Sequence, residues 1–260
     1  MLEGFQLRVE QIISRALGPQ GFALGGGHAL QAHGVVERPS KDLDSYTASM
    51  DPDVFARAEN TLSVALRDKH LDASVEITDT WFRQIVVSDP TTGDVVSVDL
   101  GYDYRQNPPV VIHGIGPVLD IEDVVLGKLR ALSDRQAERD FVDVDAILAD
   151  GRWSVDDLYE KLSQIRPEMD VQDFQKLLRS AGMGDPAEYS GLGLTPPGVA
   201  ALNIRLNHHA DQMVNEGNCD VVGSSSSGTG GSTACSECGR PLYAAESVAR
   251  GYGPGCAKKR

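Results

Sequence analysis

Two aspartates separated by a single leucine, Asp42-Leu43-Asp44, leave this stretch of the chain little structural freedom. Alternate side chains of a strand leave opposite faces. Both carboxylates therefore project to one side, about 6.5–7 Å apart along the backbone, while Leu43 enters the core. Like charges this close repel each other, which gives a cation between them a physical role. A pair of magnesium ions suits such a place: it takes hard oxygen ligands, few of them from protein, and leaves room for water and substrate phosphates. The competing reading is a solvated acidic pair at a strand edge, and for so short a motif it is the commoner one.

The flanking sequence shifts that balance. Upstream, an apolar strand over Phe22 to Leu24 runs into Gly25-Gly26-Gly27 and then a short helix over His28 to His33, closed by Gly34. Gly26 and Gly27 permit close backbone approach to a triphosphate, and the helix start supplies positive potential. No Gly-Lys-Ser/Thr follows, so this is not a P-loop; the third glycine of a dinucleotide fingerprint is also missing. Downstream, strands near 81–88 and 94–100 are joined by Asp89-Pro90-Thr91-Thr92-Gly93 and read as a β-hairpin. Its second strand buries Val96 and Val98 and turns Asp99 to the other face. If it lies beside the first strand, Asp99 becomes the third carboxylate of the site.

The remaining pattern predicts an α+β fold, a mixed sheet flanked by helices over 1–150 and a helical region over 151–217. Phe5, Val9, Ile12, Ile13 and Leu17 form one helical stripe, and a helix over 52–69 starts at Pro52. From Gly116-Pro117 to about residue 216 the pattern is helical, with Asp120, Ser154, Asp170 and Thr195 as N-caps and Gly151, Gly182 and Gly217 as stops. Trp81, Phe82, Tyr102 and Tyr104 are expected in core and hairpin packing. The six histidines show no ligand spacing. Residues 218–233 include GSSSSGTGGST and read as a flexible linker, followed by a small cysteine-bearing tail over 234–260.

A 41% hydrophobic content over 260 residues supplies a proper core. The net charge of −14 argues against binding long duplex DNA through its phosphates, though not against a nucleic-acid end entering a locally basic pocket. With neither a signal-like N-terminus nor a membrane-length apolar run, a cytoplasmic protein is expected.

The string LGGGHALQAHGVVERPSKDLDSY, residues 24–46, resembles the signature of the polymerase-β nucleotidyltransferase superfamily, and within it the AbiEii toxin branch. Gly26-Gly27, Ala29-Leu30, Arg38, Ser40 and Asp42-Leu43-Asp44 match that branch, while His28 stands where Thr is usual. A second stretch, Lys128-Leu129-Arg130-Ala131-Leu132, then Arg135 and Arg139-Asp140-Phe141-Val142-Asp143, resembles its next motif. The resemblance covers about residues 5–150. It implies a nucleotidyltransferase using two Mg2+ ions, with Asp42, Asp44 and Asp99 as catalytic metal ligands. Gly26, Gly27, Ser40, Lys128 and Asp140 are implied to bind a nucleoside triphosphate. The implied acceptor is a tRNA 3′ end or a protein, and the implied partner a cognate antitoxin. A small-molecule acceptor and a catalytically inactive binding protein of the same fold stay open.

In the tail, Cys235 and Cys238 form a C-x-x-C knuckle and Cys256 follows after 17 intervening residues, a spacing suited to one structural Zn2+. CSECGRPLYAAESVARGYGPGCAKKR resembles a short zinc-ribbon-like module of actinobacterial and phage proteins, and no fourth ligand is evident.

Overall fold

The computed structural model describes residues 2–213, which lie within one unit, Met1–Asn215. The linker and the zinc expectation on Cys235, Cys238 and Cys256 lie outside the described residues.

The chain opens with α1 (Gly4–Leu17), whose Val9, Ile12, Ile13 and Leu17 are buried as the periodicity requires. Strand β1 (Ala23–Leu24) leads through Gly25 into α2 (Gly26–Ala32). Strand β2 (Asp42–Thr47) alternates half-buried and buried residues, with Leu43, Ser45 and Thr47 inward and Asp42, Asp44 and Tyr46 on the other face. Helix α3 (Pro52–Arg67) is capped by Asp51, whose side chain accepts from the Asp53 amide at 3.0 Å. Strands β3 (Asp72–Asp79), β4 (Phe82–Ser88) and β5 (Val95–Tyr102) form an antiparallel meander, so the expected hairpin is β4–β5. Two short strands, β6 (Val110–Ile112) and β7 (Gly116–Val118), precede α4 (Ile121–Arg135) and α5 (Glu138–Asp150).

Among the described residues the sheet is seven-stranded, in the order β3-β4-β5-β2-β1-β7-β6. It is mixed: β2 pairs parallel with β5 and antiparallel with β1, and β1 pairs parallel with β7. Helices α1 and α3 pack on each other and on the strands, and the Phe55 ring of α3 meets Phe22 edge-on at 5.9 Å. Helices α6 (Val155–Ile165), α7 (Val171–Arg179), α8 (Pro186–Gly191) and α9 (Pro196–Gln212) follow: α6 contacts α4, α8 and α9 contact α5, and α7 packs on α9. Asp120, Ser154, Asp170 and Thr195 cap α4, α6, α7 and α9 as their chemistry dictates.

One packing expectation is corrected. Trp81 is not in the core: it sits at the tight β3–β4 turn, 44% exposed, with its indole N–H donating to the Met50 carbonyl at 3.0 Å. Tyr104 is likewise exposed.

Candidate active site

The parallel register of β2 and β5 sets Asp44 directly beside Asp99, with Asp42 beside Ser97. The same pleat that sends Leu43 and Val98 inward turns these carboxylates toward α4. The glycine turn closes in from β1. Gly26 adopts φ +60, and a Cβ there would overlap the Asp44 carboxylate, so only glycine lets the turn and the acid approach so closely. A Cβ on Gly27 would meet Ser40 Oγ at 2.8 Å and an Arg38 nitrogen at 3.1 Å. Gly26, Gly27, Ser40, Asp42, Asp44 and Asp99 thus line one cleft of about 330 Å³.

Each carboxylate has its own polar neighbour. Tyr46 donates its hydroxyl to Asp44 Oδ1 at 3.1 Å, and Gln84 donates to Asp99 Oδ1 at 3.1 Å. Arg139 stands 3.9 Å from Asp42. Burial, and then the negative charges of Asp44 and Asp42, push the Asp99 carboxyl above the usual range, although Gln84 and Arg139 pull the other way. Burial, followed by the charge of Asp44, keeps the Tyr46 hydroxyl protonated far above its ordinary range.

Lys128, from α4, reaches the cleft wall with its ammonium 2.9 Å from Asp143 Oδ2. Arg38 holds the same acid through Nε at 2.6 Å and Nη2 at 2.7 Å. Asp143 is fully buried, and burial alone would raise its pKa. The charges and hydrogen bonds of Lys128 and Arg38 outweigh that effect and hold it below the ordinary value. The result is a clamp in which one carboxylate orients two cations of the cleft.

Asp140 is not brought into the cleft. It is fully buried and bidentate to Arg135, at 2.9 and 2.8 Å, while the Ala137 amide donates to its Oδ2 at 3.2 Å. Its reach into the cleft is through Arg135, which lines it. Sequence reasoning assigned no site role to Arg38, Arg135, Arg139 or Asp143, although all four stand in the matched motifs. The available signal was their place within the two matched stretches, beside the residues that were assigned a role. Tyr46 and Gln84 carried no signal of their own. A second cavity of about 290 Å³ shares Arg38, Ser40, Asp42 and Arg139 with the first and extends to Glu188, Gly191 and Leu192 at α8.

Hard carboxylate oxygens facing a glycine turn, with cations behind, suit a divalent ion that also binds phosphates. Among the described residues no group of three or more acidic, histidine or cysteine side chains is placed to hold a metal ion by itself. Magnesium does not demand one, because it keeps several waters and takes much of its shell from substrate phosphates. Nor is any helix among these residues long and apolar enough to cross a membrane.

Comparisons with known proteins give the fold and the family of this chain. JHP933 from Helicobacter pylori shares 19% identity over 81% of this chain and 92% of its own, with a TM-score of 0.50. MenT4, a nucleotidyltransferase toxin from Mycobacterium tuberculosis, shares 19% identity over 80% of this chain and 84% of its own, with a TM-score of 0.55. These likenesses show the fold. No curated protein matches the sequence significantly. Residues 227–260 match a family of unknown function, DUF6011. Residues 9–182 match the model of the AbiEii nucleotidyl transferase toxin of type IV toxin–antitoxin systems, and the chain belongs to that nucleotidyltransferase family.

Proposed function

We propose that this cleft transfers a nucleotidyl group from a nucleoside triphosphate to an acceptor hydroxyl, with Asp42, Asp44 and Asp99 at the reacting centre. The observation that carries the reading is the direct pairing of Asp44 with Asp99 beneath a glycine turn that only Gly26 can make. Gly26 and Gly27 let the backbone approach the triphosphate, and Ser40 Oγ stands over that turn as a further donor. Lys128 spends one of its three donors on Asp143 and directs the others at phosphate oxygens. Arg38 and Arg135 add fixed guanidinium charge, Arg135 being aimed by Asp140. The acceptor oxygen bonds to the α-phosphorus as the bond to the bridging oxygen breaks, and pyrophosphate leaves in line. Asp99 takes the proton, a task suited to a carboxyl whose pKa is raised. Two magnesium ions held by Asp42, Asp44 and Asp99 would polarise the phosphates and activate the acceptor hydroxyl.

The family pairs such toxins with an antitoxin, and we assign this chain the same relationship. The acceptor is an RNA 3′ end, as of tRNA, or a protein. We place it at the side of the second cavity, where the helical region walls the approach to Asp42. The Cys235, Cys238 and Cys256 tail is proposed as a separate zinc-holding module, which metal analysis of the full chain tests at one zinc per molecule.

Incubating the protein with each labelled nucleoside triphosphate, magnesium and a cell extract tests the reading. The wild type labels an acceptor, and Asp42→Asn with Asp44→Asn abolishes labelling in a folded protein. Undiminished labelling by the double variant refutes the scheme.

A further inference from the structure

Tyr46 lies two residues beyond Asp44 on the same face of β2 and lines the cleft. Its ring fills a slot that two glycines leave open. A Cβ on Gly101, its partner across the β2–β5 ladder, would come within 3.0 Å of the ring, and a Cβ on Gly25 would overlap the opposite ring edge. A ring enclosed on both edges delivers its hydroxyl to one place, 3.1 Å from Asp44 Oδ1. The other oxygen, Oδ2, stands over Gly26, in the space where any other residue would carry its Cβ. An aspartate terminal torsion is otherwise broad and roughly two-fold, so an untethered Asp44 would present either oxygen at varying tilt.

We propose that Tyr46 is a positioning residue for Asp44: held in its slot between Gly25 and Gly101, it fixes the carboxylate plane through Oδ1 and presents Oδ2 to the divalent cation and the triphosphate at Gly26. The inference rests on the assignment of Asp44 to the reacting centre. The hydroxyl donates one hydrogen bond and leaves Asp44 its remaining lone pairs. What Tyr46 contributes is orientation, and a carboxylate misplaced by about 1 Å costs on the order of 100-fold in rate.

Two variants of the full chain separate orientation from packing. Tyr46→Phe keeps the ring and removes the donor. Gly101→Ala keeps the donor and pushes the ring. For each, the affinity for Mn2+ alone is read from electron paramagnetic resonance of the free ion, alongside kcat, KM for the nucleoside triphosphate and the unfolding midpoint. Tyr46→Phe is expected to weaken Mn2+ binding about 3- to 10-fold and lower kcat about 10- to 100-fold, with KM and the unfolding midpoint close to wild type. Gly101→Ala shifts Mn2+ affinity and kcat in the same direction. Wild-type Mn2+ affinity and kcat in Tyr46→Phe overturn the proposal. So does a fall in kcat that comes with a lowered unfolding midpoint and unchanged Mn2+ affinity, because that is a packing effect. Asp44→Asn separates the two readings: if it retains transfer, the cleft assignment fails, whereas if it abolishes transfer while Tyr46→Phe behaves as wild type, the positioning role alone fails.

Discussion

Replacing Gly26 with alanine tests the close approach of turn and acid with one methyl group. Two separate costs arise. The first is backbone strain: at φ +60 a residue with a Cβ pays roughly 1–2 kcal/mol, which for a unit of this size lowers the unfolding midpoint by a few degrees. The second is steric. The new Cβ would overlap Asp44 Oδ2, and real Cβ contacts essentially never fall below 3.0 Å. The carboxylate must therefore retreat by about 1 Å or more, which is the displacement that costs on the order of 100-fold in rate. Gly34→Ala supplies the control, because Gly34 has φ +74 and nothing within 4 Å of a built Cβ. It pays the strain without the clash. The assay is incorporation of labelled nucleotide into the acceptor, with the unfolding midpoint of each variant measured in parallel. The expected result is a small loss of stability in Gly34→Ala and at least as large a loss in Gly26→Ala, with kcat lowered about 100-fold in Gly26→Ala alone. Wild-type turnover by a folded Gly26→Ala protein would refute the claim that this glycine sets the position of Asp44.

Four other substitutions read different parts of the molecule. Asp143→Ala leaves Arg38 and Lys128 buried without their shared partner and is expected to cost roughly 3–5 kcal/mol of stability in denaturant unfolding; a loss below about 1 kcal/mol would show that the clamp is not structural. Glu10, 1% exposed with Oε2 unpartnered, is raised by burial from 4.5 to about 8. Its folded pKa exceeds the unfolded one, so stability falls as pH rises from 4.5 to 8; Glu10→Gln should therefore stabilise the protein at pH 8.5 relative to pH 5 by about 4 kcal/mol. A pH-independent effect of that substitution, measured by urea unfolding at the two pH values, contradicts the burial argument. Arg135→Ala leaves Asp140 buried without its guanidinium partner, and an Asp140→Asn variant with normal turnover and a normal KM for the nucleotide would show that aiming Arg135 is dispensable.

What the sequence made legible was local chemistry. The alternation in β2 and β5 gives the face of each aspartate, and the caps of α4, α6, α7 and α9 follow from single polar side chains placed before apolar stripes. Strand β3 was not legible because every one of its residues is exposed, which removes the buried alternation that marks a strand. Strands β6 and β7 are three residues each, too short for a period, and β7 contains a proline. Asp140 and Asp143 lie three apart on α5, and helical geometry alone sets both toward α4. Only the tertiary positions of Arg38 and Lys128 decide that Asp143 holds those two cations of the cleft while Asp140 holds Arg135.

The register between β2 and β5 shows how far such reasoning reaches. A slip of one residue would drive Asp99 into the core and Val98 out of it, so the parity of the pairing is encoded in the apolar alternation itself. A slip of two keeps that parity yet sets Ser97 or Gly101 against Asp44, and nothing in the alternation forbids it. The choice is made by size. A Cβ opposite Tyr46 would stand 3.0 Å from its ring, a tight contact, and Gly101, the sole glycine of β5, avoids it. With Tyr46 seated opposite Gly101, Asp44 falls opposite Asp99. The pair of residues that pins the register is thus the pair that holds the tyrosine hydroxyl on the carboxylate, and a bulkier residue at 101 would disturb strand pairing and site geometry together.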